Sequence, residues 1–244
     1  MGALQGPTFL VVGAGKAGTT SLYSALAAHP DVFGARPKEV RYFSNFWKNG
    51  SDWYLEHFVE GQGYRHRFEA SPQYSFCTEF PNVAKRIFEF DPEMQILYIV
   101  RDPIARIVSH FAHWNRTMPE RYTDIMDVLT DRDLRRPFVE RTKYWMQIEP
   151  YIELFGSAQV KCITLEDMAA DYVATVNDVF KFLQIEECCD QVAPISNKSP
   201  TQTIEQGHAK LQDQLLGELS RELQADVDQI LRFAGKPPDF WSQV

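Results

Sequence analysis

Cysteine is scarce in this chain, and the little there is builds no framework. The four cysteines among 244 residues are Cys77, Cys162, Cys188 and Cys189, with no C-x-x-C pair and no metal-ligand spacing. That pattern argues against a disulfide-stapled secreted domain. Cys162 lies in an apolar, strand-like run and reads as a core thiol, adjacent Cys188 and Cys189 read as reduced loop residues, and a reducing compartment follows. Positive charge is also in short supply: 25 Lys and Arg against 33 Asp and Glu leave a net charge of −8. This argues against nucleic acid as a partner, because phosphate-backbone binding needs clustered Lys and Arg. It sits uneasily with a long polyanionic substrate too, although net charge does not fix local potential. No long apolar run is present, so a transmembrane span, a signal peptide and a transit peptide are not expected. Gly6 stands where N-myristoylation needs Ser or Thr.

What is there is an ordinary core supply, 44% hydrophobic residues, enough for one large α/β domain. Strand-like runs fall at 8–13, 67–70, 95–100 and 159–164. Helical patterns fall at about 18–29, 51–59, 80–90, 103–115, 138–155, 172–184 and 207–233. This alternation predicts an α/β fold, a three-layer sandwich around a central parallel β-sheet. Residues 34–50 and 186–206 read as loops or lids, and polar 116–137 as a third loop. Thr164-Leu165-Glu166-Asp167 fits a capping box with Asp in the acidic position. No internal repeat or low-complexity linker divides the chain, so residues 1–244 are expected to form one domain.

The most informative segment follows the first strand. Phe9-Leu10-Val11-Val12 leads into Gly13-Ala14-Gly15-Lys16-Ala17-Gly18-Thr19-Thr20-Ser21-Leu22 and a helix pattern. A strand, a glycine loop and a helix N-terminus make an anion site: backbone N–H groups and the positive end of the helix dipole converge on a phosphate. Lys16 adds a point charge, and Thr19, Thr20 and Ser21 add hydroxyls. An ATP-type P-loop needs Ser or Thr directly after the Lys to hold Mg²⁺; here Ala17-Gly18 intervene.

A second segment sits after the strand Gln95–Val100. Arg101-Asp102-Pro103-Ile104-Ala105-Arg106-Ile107-Val108-Ser109 puts Arg101 at the strand's C-terminal end and Ser109 about two turns into a helix. Asp102 fits the N-cap and Pro103 the first helical position. A helix cap followed by a solvated Arg106 would explain part of this, but not its order and distance after the glycine loop. Together G-x-x-K-x-G-T-T-S and V-R-D-P-x-x-R-x-x-S resemble the two signatures of sulfotransferases that use 3′-phosphoadenosine-5′-phosphosulfate (PAPS). The resemblance implies a P-loop NTPase-like sulfotransferase fold. It implies that Gly15, Lys16, Ala17, Gly18, Thr19, Thr20 and Ser21 hold the 5′-phosphosulfate. Arg101 and Ser109 would hold the 3′-phosphate, with Lys198 and Ser199 in a loop over it.

Sulfuryl transfer to a hydroxyl needs a base for the acceptor proton and positive charge at the leaving phosphate. Arg36-Pro37-Lys38-Glu39-Val40-Arg41-Tyr42-Phe43-Ser44 resembles the K-E-x-x-[FY]-F element of glycan O-sulfotransferases and their bacterial relatives. That likeness gives Glu39 the role of general base, with Lys16, and Lys38 as a second candidate, at the leaving group. By their residues alone, these charges would simply pair on a solvated loop. Glu69-Ala70-Ser71-Pro72-Gln73-Tyr74 resembles the same branch; Glu69 reads as a buried partner of Lys16 or as a strand-end charge. Lys38, Tyr42, Phe43, Ser71 and His113 are the candidate acceptor contacts. His110 and His113 sit one helical turn apart without a third ligand at suitable spacing, so no metal is expected.

The likeness covers nearly the whole chain and is sharpest at 13–22 and 101–109. It implies transfer from PAPS to a sugar or aliphatic hydroxyl, with a small molecule or glycan as acceptor and no metal. A P-loop nucleotide or small-molecule kinase and a non-catalytic nucleotide-binding module are the competing readings. Animal Golgi members carry an N-terminal membrane anchor; the expectation here is a soluble, bacterial, cytoplasmic chain unless an anchor has been removed. The helix at 207–233 would pack on the domain or form a homodimer.

Overall fold

Largely apolar runs rich in β-branched side chains, Phe9–Gly13, Gln95–Val100 and Val160–Thr164, form three of the strands in the computed structural model, which describes residues 4–187, 211 and 213–241. The strands are β1 (Phe9–Gly13), β2 (Val32–Gly34), β3 (His66–Ala70), β4 (Gln95–Val100) and β5 (Val160–Thr164). All pairings are parallel, in the order β2-β3-β1-β4-β5. Between and after them run α1 (Thr19–Ala27), α2 (Gly50–Glu56), α3 (Val83–Phe90), α4 (Pro103–Thr117), α5 (Ile125–Thr130), α6 (Arg132–Glu140), α7 (Tyr144–Phe155), α8 (Leu165–Ala170), α9 (Tyr172–Phe182) and α10 (Asp213–Phe233). A central parallel five-stranded sheet with flanking helices is the fold class expected from the alternation. The chain divides into two compact units, Met1–Val100 with Ile148–Asn197 and Arg101–Gln147 with Lys198–Val244.

The first unit holds the sheet. On one face Phe9, Val11, Phe68, Leu97 and Ile99 meet Leu22 and Leu26 of α1 and Val176, Val179 and Phe180 of α9. Each such fully buried side chain contributes about 1.5–3 kcal/mol of hydrophobic stabilisation. Glu69 alternates with Phe68 and Ala70 along β3 and therefore points to the other face. There Tyr42, Phe43, Tyr54, Tyr74 and Phe90 form an aromatic cluster, with Tyr42 stacked on Tyr54 at 4.5 Å between ring centres. β1 lies between β3 and β4, where the strand order reverses. Open parallel sheets bind ligands beyond the C-terminal strand ends at such a point.

The second unit is helical. Asp102 caps α4 by accepting the Ala105 N–H at 2.6 Å, and Pro103 opens the helix, as the sequence indicated. Arg106, which the competing helix-cap reading leaves solvated, is buried, and its Nη1 donates to the Phe138 carbonyl and the Thr142 hydroxyl, both at 3.0 Å. The expected loop at 116–137 is also corrected, since most of it is α5 and α6. Asp124 starts α5 by accepting the Met126 N–H at 2.7 Å, and Asp131 starts α6 by accepting from Asp133 and Leu134 at 2.9 Å. The helix expected over 138–155 is interrupted after Glu140 and restarts at Tyr144. α10 buries Leu215, Leu219, Leu223, Val227, Ile230 and Leu231 along one side.

Candidate active site

The glycine loop leaves β1 through a crowded exit. A Cβ on Gly13 would lie 2.5 Å from Ser75 Oγ and 2.8 Å from Tyr98 Cε2, so no larger residue fits. The Ala14 N–H donates to the Ile99 carbonyl at 2.7 Å, fixing the loop to β4. The chain then turns through Gly15 and Lys16, the latter at φ 72°, and buries Ala17. Gly18, at φ 102°, is the N-cap of α1 and brings no side-chain cap. The opening N–H groups of an α-helix have no intrahelical acceptor, and α1 has no acidic residue in its first turn. Thr19 and Ser21 are buried there and Thr20 is exposed.

The Lys38-Glu39 segment reaches this helix start. Lys38 Nζ donates to the Thr20 hydroxyl at 3.1 Å and to the Thr19 hydroxyl at 3.3 Å. Burial pushes the Lys38 ammonium below its usual range, and the Glu39 carboxylate pulls in the opposite direction. Glu39 Oε2 lies 3.1 Å from Arg41 Nη2 and accepts from Gln73 Nε2 at 3.5 Å, and its Oε1 lies 3.8 Å from Lys38 Nζ. A carboxylate is thus held one residue from a lysine seated on the helix N-terminus. The donors gathered around α1 are helix N–H groups, hydroxyls and ammonium groups. Such a set suits a phosphate or phosphosulfate, and the tight glycine turns let backbone approach it.

The other candidates fall in different surroundings. Tyr42 and Phe43 are buried, at 3% and 0% exposure, in the aromatic cluster. Ser71 is fully buried, accepting the Arg41 N–H at 3.0 Å and donating to Glu69. Arg101 directly follows β4, and Ser109 is buried in the second turn of α4. His113 lies further along α4 with its Nδ1 3.3 Å from Arg116 Nη2, while His110 is buried against Trp114 and Phe138. Lys198 and Ser199 lie outside the described residues, as do Cys188, Cys189 and most of the loop at 186–206. Among the described residues no group of three or more His, Cys, Asp or Glu is arranged to hold a metal ion, and no helix is long and apolar enough to cross a membrane.

Two residues around Glu39, Gln73 and Tyr54, gain meaning only from the fold. Gln73 is its hydrogen-bonding neighbour. Glu69 and Tyr54 sit behind the loop, Glu69 taking hydroxyls and a backbone N–H as partners. Glu69 was the legible one of these, as an acid inside a strand pattern.

A glycine loop at the end of β1, a lysine seated on the helix that follows and a parallel sheet beneath make an architecture suited to group transfer. The sulfotransferase domain model matches residues 7–212, and the chain belongs to that family. The fold superimposes on the crystal structure of a sulfotransferase from Alicyclobacillus acidocaldarius with a TM-score of 0.80 and 27% identity, covering 98% of this chain and 99% of that one. It is 28% identical over 73% of its length to the mouse bifunctional heparan sulfate N-deacetylase/N-sulfotransferase 4, of which it spans 22%. It is 25% identical over 76% of its length to the mouse heparan sulfate glucosamine 3-O-sulfotransferase 3A1, of which it spans 47%. The chain therefore spans between about a fifth and a half of these curated relatives.

Proposed function

We propose that this sulfotransferase is PAPS-dependent and sulfates an acceptor hydroxyl on a sugar or an aliphatic alcohol, with Glu39 as general base. The observation that carries this reading is the seating of Lys38 on the Thr19 and Thr20 hydroxyls, with the Glu39 carboxylate 3.8 Å from the same ammonium. PAPS, when bound, supplies a sulfuryl group on a phosphate leaving group. The N–H groups opening α1, with Gly15, Lys16, Ala17, Gly18, Thr19, Thr20 and Ser21, bind and orient the 5′-phosphosulfate. Arg101 and Ser109 take the 3′-phosphate, for which a guanidinium offers bidentate contact; Lys198 and Ser199 belong to the same role. Glu39 accepts the acceptor's hydroxyl proton as the acceptor oxygen bonds to sulfur and the sulfur–phosphate oxygen bond breaks. Lys16 and Lys38 offset the negative charge left on the 5′-phosphate.

Calorimetric titration with adenosine 3′,5′-bisphosphate, against ATP without Mg²⁺, tests the donor site. Tight binding of the bisphosphate and weak binding of ATP is the expected result. Equal or stronger ATP binding, or binding of neither, overturns the reading and favours a kinase or a non-catalytic module.

A further inference from the structure

Behind the Lys38–Arg41 segment lies a buried carboxylate that the proposed chemistry does not use. Glu69 is fully buried, and an isolated buried charge is costly unless hydrogen-bonded. It is bonded on every side. Oε2 accepts the Val40 N–H at 2.9 Å and the Ser71 hydroxyl; Oε1 accepts the Tyr54 hydroxyl at 3.1 Å and the Tyr74 hydroxyl. The same hydroxyls continue to the loop: Ser71 Oγ accepts the Arg41 N–H at 3.0 Å, and Tyr74 OH accepts the Phe43 N–H at 3.3 Å. The Ala70 N–H donates to the Lys38 carbonyl at 2.9 Å. Lys38, Val40, Arg41 and Phe43 are thus fixed by backbone to one strand end, with Glu39 between them. Burial raises the Glu69 carboxyl above its usual range, while its hydroxyl and amide donors pull it back.

We propose that Glu69 is a positioning residue: its carboxylate, through Val40 N–H and the Ser71 and Tyr74 hydroxyls, holds the backbone that aims Glu39 and Lys38. This rests on the reading of Glu39 as base, and it assigns the acid of the E-x-S-P-x-Y segment a task other than pairing with Lys16. An alanine removes all four bonds and leaves the Val40 N–H without its acceptor, whereas a glutamine keeps them, its amide nitrogen donating to tyrosine hydroxyls that turn to accept. Misaiming a catalytic group by about 1 Å costs on the order of 100-fold in rate.

The test is Glu69→Ala in the full chain, read by kcat, by the dissociation constant for adenosine 3′,5′-bisphosphate, and by amide hydrogen exchange at Val40, Arg41 and Phe43. The expected result is a kcat loss of about 100-fold, bisphosphate affinity within about twofold, and faster exchange at those three amides. Retained kcat, or unchanged exchange at these amides, overturns the proposal. So does a loss of kcat and bisphosphate affinity together in a folded variant, which marks a merely structural residue. Should Glu69→Ala fail to fold, Tyr74→Phe removes the hydroxyl that bridges Glu69 to the Phe43 N–H, and the same readouts decide, with faster exchange expected at Phe43. Failure of the base reading is seen separately, as normal turnover in Glu39→Gln; the exchange measurement reads the Glu69 connection regardless of that outcome.

Discussion

Replacing Glu39 by glutamine keeps its size while removing its capacity to take a proton. If Glu39 is the base, Glu39→Gln lowers kcat by at least about 100-fold and leaves bisphosphate binding in place. Lys16→Ala, which removes a cation from the loop, is expected to lower turnover by at least about 100-fold as well. Steady-state kinetics with PAPS checks both, and near-normal turnover in either variant removes that residue from its role. At this scale the sequence was informative where the candidate residues are contiguous: Lys16 lies just ahead of Thr19 and Thr20, which open α1. It was less so for Tyr42 and Phe43. A pair of aromatics in a Gly- and Pro-flanked stretch reads as equally suited to a cleft and to a core, and the fold buries both. Tyr54 reaches Glu69 across 15 residues of sequence, a distance no local pattern encodes.

At the level of elements, Gly18 is the joint on which the anion loop depends. Its φ of 102° belongs to the left-handed region, and a Cβ there would approach Leu165 Cδ1 to 2.8 Å. Gly18→Ala is therefore expected to cost about 2 kcal/mol, mostly from backbone conformation, because the Leu165 methyl can move aside. A lowered urea midpoint with an unchanged slope checks this; an unchanged midpoint shows that the loop relaxes freely. Strands β1, β4 and β5 were legible because each is a largely apolar run rich in β-branched residues; β3, with Arg67 and Glu69 alternating with Phe68 and Ala70, was read from position and pattern. β2 was not, since Val32–Gly34 is three residues long and shows no alternation. α5 and α6 hide in a charged stretch whose hydropathy reads as a loop. The aspartates at 124 and 131 were the available signal, each an N-cap ahead of a short helix. The interruption after Glu140 falls in Arg141-Thr142-Lys143, a polar stretch with no Gly or Pro to mark a break.

For the molecule as a whole, a net charge of −8 coexists with the local run Arg36, Lys38, Arg41 around one glutamate, so overall acidity does not bar an anionic donor. Acidity enters stability through Asp226 instead. Its Oδ1 and Oδ2 accept the Trp145 and Met146 N–H groups at 3.0 and 2.9 Å, holding the start of α7 to α10. Burial pushes its carboxyl up to about 6 from 3.8, against the opposing pull of those N–H groups and of Lys143. A folded-state value above the unfolded one means that the folded chain holds the proton more tightly between these two pH values. The stabilisation is fully present below about pH 4 and is lost as pH rises through about 6, amounting to about 3 kcal/mol in total. Other carboxylates impose their own pH dependence, so the comparison must be with Asp226→Asn, which cannot titrate. Urea unfolding of both proteins from pH 4 to pH 7 should give a stability difference that changes by up to about 3 kcal/mol in the wild type's disfavour on going up in pH. A difference that stays flat over that range shows that Asp226 keeps its ordinary titration in the folded chain, its two N–H donors fully offsetting burial.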